Sequence, residues 1–173
     1  MAGWWIMFAQ LSVGFPLRAA ALGGPRTVTL AVIVNAIFGL AAMPLVARAL
    51  RHHRPGAALR IGLGLGAAGF TITGLVPDVP ALLVGVAVYS IGETFVLVAK
   101  DIAVADRAGA GRVAGYFGLA SLPWLLGGTA GNYLGAAVLD STTRSVSWIA
   151  LGALGAILSL VIAPLVPASD PSG

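Results

Sequence analysis

Apolar residues fill six long stretches of the chain, and short connectors rich in Arg, Pro, Gly or Asp separate them. The stretches are Trp4–Leu22, Val28–Leu50, Ala57–Leu75, Ala81–Ala105, Val113–Leu139 and Trp148–Leu165. A helix needs about 20 predominantly apolar residues to cross a bilayer's hydrocarbon core. Continuous runs favour helices over barrel strands, which alternate in polarity. The pattern predicts an all-α integral membrane domain of six transmembrane helices over residues 1–166, followed by a short polar tail at 167–173.

The composition supports this interpretation and excludes several kinds of site. Hydrophobic residues make up 58% of the chain and charged residues 9%, whereas soluble domains carry about 25% charged residues. The absence of cysteine excludes disulfides and thiolate metal sites. The net charge of +4 comes from basic residues in turns, without the single basic face that nucleic-acid binding needs. We therefore expect no nucleic-acid partner, no cofactor, no metal site and no enzymatic activity.

Basic residues are distributed unequally between the two sides of the predicted membrane domain. The second and fourth connectors carry Arg48, Arg51, Arg54, Arg60, Lys100, Arg107 and Arg112, and the opposite side carries Arg18, Arg26 and Arg144. Because Lys and Arg are enriched in cytoplasmic loops, the asymmetry predicts that the second and fourth connectors are cytoplasmic. Both termini are then cytoplasmic too, in a multi-pass protein of the cell membrane.

The sequence also predicts how the helices are grouped. The turn Val76-Pro-Asp-Val-Pro80 separates two groups of three spans, the arrangement of an inverted repeat within one transporter half. Glycines spaced four apart predict close helix contacts. They occur at Gly127-x-x-x-Gly131-x-x-x-Gly135, Gly62-x-x-x-Gly66 and Gly111-x-x-x-Gly115. Spans three and six carry few polar side chains and are expected to face lipid.

Glu93 is the sharpest candidate for a functional residue, since it falls near the middle of the fourth span. Ionisable groups within a membrane helix cost at least about 2.5 to 3.5 kcal/mol and usually mark a pathway or a buried pair. A desolvated carboxyl there is able to bind and release a proton near neutrality. The alternative is a protonated Glu that only bonds a neighbouring helix.

Other polar and aromatic positions are weaker candidates. Lys100 and Asp101 end the fourth span and suit interface anchors better than ligands. Arg18 attracts an anionic substrate, pairs across the cavity or extends to the headgroups. Gln10, Asn35 and Asn132 either line a cavity or form hydrogen bonds between helices, the commoner role. The chain's tryptophans divide in the same way: Trp4 and Trp5 suit an interfacial belt, whereas Trp124 suits a cavity wall.

The order of these motifs resembles the C-terminal half of a major facilitator superfamily transporter, particularly the proton-driven exporter branch. The residues that carry the resemblance are Gln10-Leu-Ser-Val-Gly-Phe-Pro-Leu17, Pro44-Leu-Val-Ala-Arg48, Ile91-Gly-Glu-Thr94, Asp106-Arg107, Gly115-Tyr-Phe-Gly118 and Leu126-Gly-Gly-Thr-Ala-Gly-Asn-Tyr-Leu-Gly135. The basic loop motif lacks the acidic residue of its better-formed counterpart, and Asn132 stands where a proline is common.

The resemblance implies secondary transport of a small molecule, coupled to protons. By the same resemblance, the substrate and proton pathway includes Gln10, Asn35, Tyr89, Glu93 and Trp124. Such transporters consist of two six-helix halves, so the expected partner is another six-helix half, either a separate chain or a second copy. The competing hypothesis is a truncated or split fragment that acts as a non-transporting membrane subunit or remnant.

Overall fold

The computed structural model describes residues 2–52, 55–108, 112–141 and 144–162, and every regular element within them is a helix. The elements are α1 (Ala2–Ser12), α2 (Gly14–His52), α3 (Pro55–Leu75), α4 (Val79–Ala108), α5 (Val113–Ser141) and α6 (Arg144–Ile162). Among the described residues, Trp4–Leu50, Pro55–Leu75 and Val79–Asp106 are long and apolar enough to cross a membrane. The prediction of an all-helical chain is confirmed, and its apolar helices indicate a membrane protein.

The longest of these apolar stretches contains a sharp break. Continuous helix over the 47 residues of Trp4–Leu50 would extend about 70 Å, more than twice the thickness of the hydrocarbon core. The backbone leaves helical geometry at Gly23 and Gly24, where Gly24 has φ 71° and ψ −164°. Only glycine adopts that conformation readily. The break falls between the predicted first and second spans and separates the helical residues before Gly23 from those after Gly24.

The turn between α3 and α4 is set by its proline-containing sequence and by a helix cap. Helix α3 ends at Leu75 and α4 begins at Val79, so the last two residues of the predicted stop, Val79 and Pro80, belong to the first turn of α4. The backbone N–H of Ala81 donates a hydrogen bond to Oδ1 of Asp78 over 2.7 Å. This satisfies one of the amide groups that the first turn of a helix leaves without a partner.

Helix α3 lies between α4 and α6, while α2 packs against α4 and α1 against α5. Glycine makes the α3–α4 contact close. A Cβ atom built on Gly92 would lie 2.6 Å from the carbonyl oxygen of Gly62 and 2.8 Å from the nitrogen of Gly66. The predicted packing role of Gly62-x-x-x-Gly66 is therefore confirmed, and its partner is the glycine-containing face of α4.

Of the other two glycine motifs, one forms a close helix contact and the other does not. Gly131 approaches α1 closely, since its built Cβ would lie 2.7 Å from Cα of Ile6. A Cβ on Gly115 would meet no atom within 4 Å, so the predicted close contact is not found there. Gly111 and the surroundings of Gly135 lie outside the described residues.

The expectation that span three faces lipid is wrong. Twelve of the 21 residues of α3 are buried, because its glycines admit α4 on one side and α6 packs on another. Low side-chain polarity in this helix reflects a helix–helix interface, which is as apolar as a surface in contact with lipid. Helix α6 does present large apolar residues outward, among them Ile157 and Leu160.

The interpretation of Trp4 and Trp5 as an interfacial belt is also wrong. Their side chains are only 1% and 6% exposed, which places both inside the bundle. The ring of Trp4 stacks on that of Tyr89, with centroids 6.4 Å apart and planes 10° apart. Belt residues would project to the membrane interface, whereas these two indoles join α1 to the core.

The predicted orientation depends on side chains that are only partly described. Those of Arg51, Arg54, Arg107 and Arg144 lie outside the described residues, as do the tail 167–173 and the end of the sixth span at 163–165. Helix α6 begins at Arg144, four residues before the predicted Trp148. The orientation of the chain remains a prediction.

Candidate functional site

A group of polar side chains joins α2 to α4 in the middle of the bundle. The side-chain amide nitrogen Nδ2 of Asn35 donates to Oγ of Ser90 over 2.8 Å and to Oε2 of Glu93 over 3.4 Å. The Ser90 hydroxyl in turn donates to the carbonyl of Val86 over 2.6 Å. Asn35 is therefore held by two acceptors on successive turns of α4.

One turn further along both helices, the same contact continues. Oγ1 of Thr94 lies 3.0 Å from the carbonyl oxygen of Ser90 and 3.4 Å from that of Gly39, which is four residues after Asn35. Positions four apart lie on the same face of a helix. We call these five residues the polar seam: Asn35 and Gly39 on α2, with Ser90, Glu93 and Thr94 on α4.

Glu93 is the only ionisable side chain of the polar seam. It lies 14 residues after Val79, hence about 21 Å along α4, and its side chain is half-buried. Within the described residues, Asn35 is its hydrogen-bond partner and no salt bridge reaches its carboxyl. An ionised Glu93 would thus rely on a neutral amide for compensation, since no cationic side chain of the described chain supplies it.

Lys100, the basic residue nearest to Glu93 along α4, contacts other side chains. Nζ of Lys100 lies 2.6 Å from Oδ1 of Asp101 and 5.8 Å from the centre of the Trp5 ring. A cation above an indole face is attracted by the ring quadrupole. The expected anchoring role of Lys100 and Asp101 is consistent with this local pairing, which does not involve Glu93.

A second site lies between α1 and α5. A groove of about 300 Å³ is lined by Phe8, Ala9, Ser12, Trp124, Leu125, Gly128, Thr129 and Asn132; we call it the α1–α5 groove. Its walls are aromatic and aliphatic, and its polar groups are two hydroxyls and one amide. Trp124 contacts Trp5 edge-on, with ring centroids 6.4 Å apart. Trp124 and Asn132 therefore both line this groove, and lining a cavity was the role predicted for Trp124 and one of the two roles predicted for Asn132.

Other candidates lie in the packed interior instead. Gln10 is fully buried, and its Nε2 donates to the carbonyl of Gly131 over 2.9 Å, joining α1 to α5. Tyr89 is also fully buried, among Trp4, Phe15 and Phe70. For Gln10 the hydrogen bond between helices, one of its two predicted roles, is the one observed.

Two more of the predicted positions can be placed. Arg18 is 6% exposed, so its side chain is buried within the protein. Asn35 lines a small cavity of about 50 Å³ together with Leu11, Phe15, Pro16, Val28, Ala31, Val32 and Val86. Of the residues nominated for the pathway, the structure brings Asn35 together with Glu93 and leaves Gln10 and Trp124 apart from them. Tyr89 lies one turn before Glu93 on the same face of α4, with its ring in the core.

Sequence reasoning missed Ser90 and Thr94. Short hydroxyl side chains within a membrane helix usually bond a carbonyl one turn back, and both do so here. Their spacing of four, on either side of Glu93, is a signal that one face of α4 is polar over two turns.

Comparison of the chain with protein-family models, curated proteins and solved structures found no match.

Proposed function

We propose that the chain is part of a secondary active transporter that moves a small molecule across the cell membrane, coupled to protons. The observation that carries this proposal is Glu93: a half-buried carboxyl in the middle of a helix long enough to span a membrane, bonded to one neutral amide. An ionisable group at such a position is costly and is retained in pumps and transporters as a proton relay.

The architecture that we propose is six membrane crossings in two inverted groups of three. Part of the packing supports it, because α2 contacts α4 and α1 contacts α5, whereas the extensive α3–α4 contact has only a slight counterpart between α6 and α1. A twofold axis that relates the two groups exchanges span one with four, two with five and three with six. It therefore converts a contact between spans two and four into a contact between spans five and one. The α3–α6 contact is converted into itself. We further propose, from the basic connectors, that both termini are cytoplasmic.

The proposed partner is a second six-helix half, supplied by another chain or by a second copy of this one. Helices α2 and α5 have the largest share of exposed bulky apolar residues. The polar seam lies between α2 and α4, and the α1–α5 groove lies between α5 and α1. Contact with a second half along α2 and α5 would enclose both sites in a pathway between two halves, as in transporters of this architecture.

The experiment is transport in proteoliposomes that contain the full chain. Ethidium and tetraphenylphosphonium are suitable probes, because lipophilic cations match an anionic carboxyl and an indole wall. A pH gradient should drive probe movement in wild-type vesicles, and Glu93→Gln should abolish it while circular dichroism shows an unchanged helix content.

Asp101→Asn is the matched control, since it removes a carboxyl near the C-terminal end of the same helix and leaves the polar seam intact. Flux that persists in Glu93→Gln at the wild-type rate would remove Glu93 from the mechanism. Wild-type vesicles without gradient-driven movement of either probe would contradict transport by this chain alone and favour the non-transporting subunit.

A further inference from the structure

We infer that the end of the bundle where α2 ends and α3 begins binds the headgroup of an anionic phospholipid. The described residues that would hold the phosphate are Arg48 on α2 and Arg60 on α3, and we call these two residues the arginine patch. The inference goes beyond the proposed function, because lipid binding requires neither transport nor a second half.

The arginine patch belongs to a segment whose positive charge is not offset along the chain. The sequence between Arg48 and Arg60 adds Arg51 and Arg54, and the first acidic residue of the chain is Asp78. Within the described residues, no salt bridge reaches either arginine of the patch. Clusters of four or more basic residues beside a membrane helix attract anionic lipids, with about a fivefold gain in affinity for each Lys or Arg near the surface.

Both arginines of the patch are exposed, and both lie near the ends of their helices. Arg48 precedes the end of α2 at His52 by four residues, and Arg60 follows the start of α3 at Pro55 by five. These separations correspond to about 6 and 7.5 Å along the helices. The apolar segments that could cross a membrane are interrupted between Leu50 and Pro55. The arginine patch therefore lies near the level of the lipid headgroups, which long arginine side chains can reach.

Tertiary packing holds the end of α2, the start of α3 and the last part of α4 at the same level of the bundle. Leu50 of α2 packs against a buried apolar cluster that includes Leu59 of α3 and Ala99 of α4. Because Arg48 and Arg60 are each within two residues of a member of this contact, both arginines are held at one end of the folded chain.

The acidic residues of α4 near this end have basic neighbours of their own. The carboxylate of Asp101 lies 2.6 Å from Nζ of Lys100. Asp106 is followed directly by Arg107 in the sequence. The acidic residues of α4 therefore leave the positive charge of the arginine patch available to a ligand.

Exposed apolar side chains beside the arginine patch favour a lipid over a soluble anion. Leu45 precedes Arg48 by three residues, on the same face of α2, and is 62% exposed, whereas Ile61 follows Arg60 and is 46% exposed. Both lie further into their helices than the arginines do. Guanidinium groups bind phosphate oxygens with paired hydrogen bonds. The site thus fits a molecule with an anionic phosphate head and an apolar body.

The test is binding of dansyl-labelled phosphatidylglycerol to the purified full chain in detergent, followed by energy transfer from tryptophan. Trp4 and Trp5 belong to the same cluster as Leu59, so a lipid bound at the arginine patch lies near two donors. Unlabelled phosphatidylglycerol should displace the probe at about a tenfold lower concentration than phosphatidylcholine does. Binding should weaken severalfold between about 0.05 and 0.5 M NaCl, because salt screens exposed charges.

The double variant Arg48→Gln with Arg60→Gln should weaken probe binding about tenfold or more. Arg26→Gln is the matched control, since it removes an exposed arginine about 33 Å away, toward the other end of α2, and should bind the probe as the wild type does. Undiminished binding in the double variant, or an equal loss in Arg26→Gln, would overturn the inference. Displacement by phosphatidylcholine or by inorganic phosphate as effective as that by phosphatidylglycerol would overturn it too.

Discussion

The close contact between α3 and α4 at Gly92 predicts a large effect from one added methyl group. In Gly92→Ala, the new Cβ would lie 2.6 Å from the carbonyl oxygen of Gly62, 2.8 Å from the nitrogen of Gly66 and 2.8 Å from Cβ of Leu65. Unstrained carbon–oxygen contacts are about 3.3 Å or longer, so a displacement of about 0.7 Å is required. Since two of the three atoms belong to the backbone, α3 must move as a body and lose contacts along its length.

We expect Gly92→Ala to lower the free energy of unfolding by about 1–3 kcal/mol, the usual cost of overpacking a close-packed interior. The control is Gly118→Ala in α5, where a Cβ would meet no atom within 4 Å and alanine favours the helix. The assay is SDS titration of the chain in mixed micelles, followed by circular dichroism. If Gly92→Ala and Gly118→Ala agree within about 0.5 kcal/mol, the range of an ordinary surface substitution, the α3–α4 contact is not as close as described.

Three further substitutions test other parts of the fold by the same unfolding assay. Gly24→Ala forces a side chain into a backbone region open only to glycine and should cost about 1–3 kcal/mol; an effect no larger than that of Gly118→Ala would contradict the break between the first two spans. Asp78→Ala removes the cap of α4 and should cost about 0.5–2 kcal/mol, with Asp78→Asn close to wild type; equal stabilities of the two variants would argue against the cap. Gln10→Leu removes the hydrogen bond to Gly131 and should cost less than about 1.7 kcal/mol, the upper range for such bonds in membranes; a larger loss would mean that Gln10 supports more than this contact.

The sequence predicted the helices well, because apolar run length and turn chemistry are local properties. The Pro-Asp-Val-Pro turn and the Gly23–Gly24 break fall where the pattern placed them. The sequence did not predict which helix surfaces face outward. An apolar side chain has the same composition whether it contacts lipid or another helix, so the sequence predicts that α3 faces lipid, whereas most of its residues are buried between α4 and α6. The prediction that Trp4 and Trp5 lie at the membrane interface is wrong for the same reason.

Part of the candidate site could be predicted from the sequence and part could not. Glu93 stands out because an acidic residue within an apolar run is rare and costly. That it contacts Asn35 depends on the register of α2 against α4, which involves residues 58 positions apart and is set by packing. Local spacing carries no information on that register, so it does not predict that Asn35 and Gly39 lie beside Ser90, Glu93 and Thr94.

The central claim is that the polar seam belongs to a pathway which water can reach within the membrane. The chain has no cysteine, so single cysteines at Asn35, Glu93 and the outward-facing Ile157 can be labelled in intact membranes with a membrane-impermeant thiol reagent. The account predicts labelling at positions 35 and 93, because both face a hydrated pathway, and no labelling at position 157, because it faces lipid. Protection of positions 35 and 93 to the same degree as position 157 would contradict it.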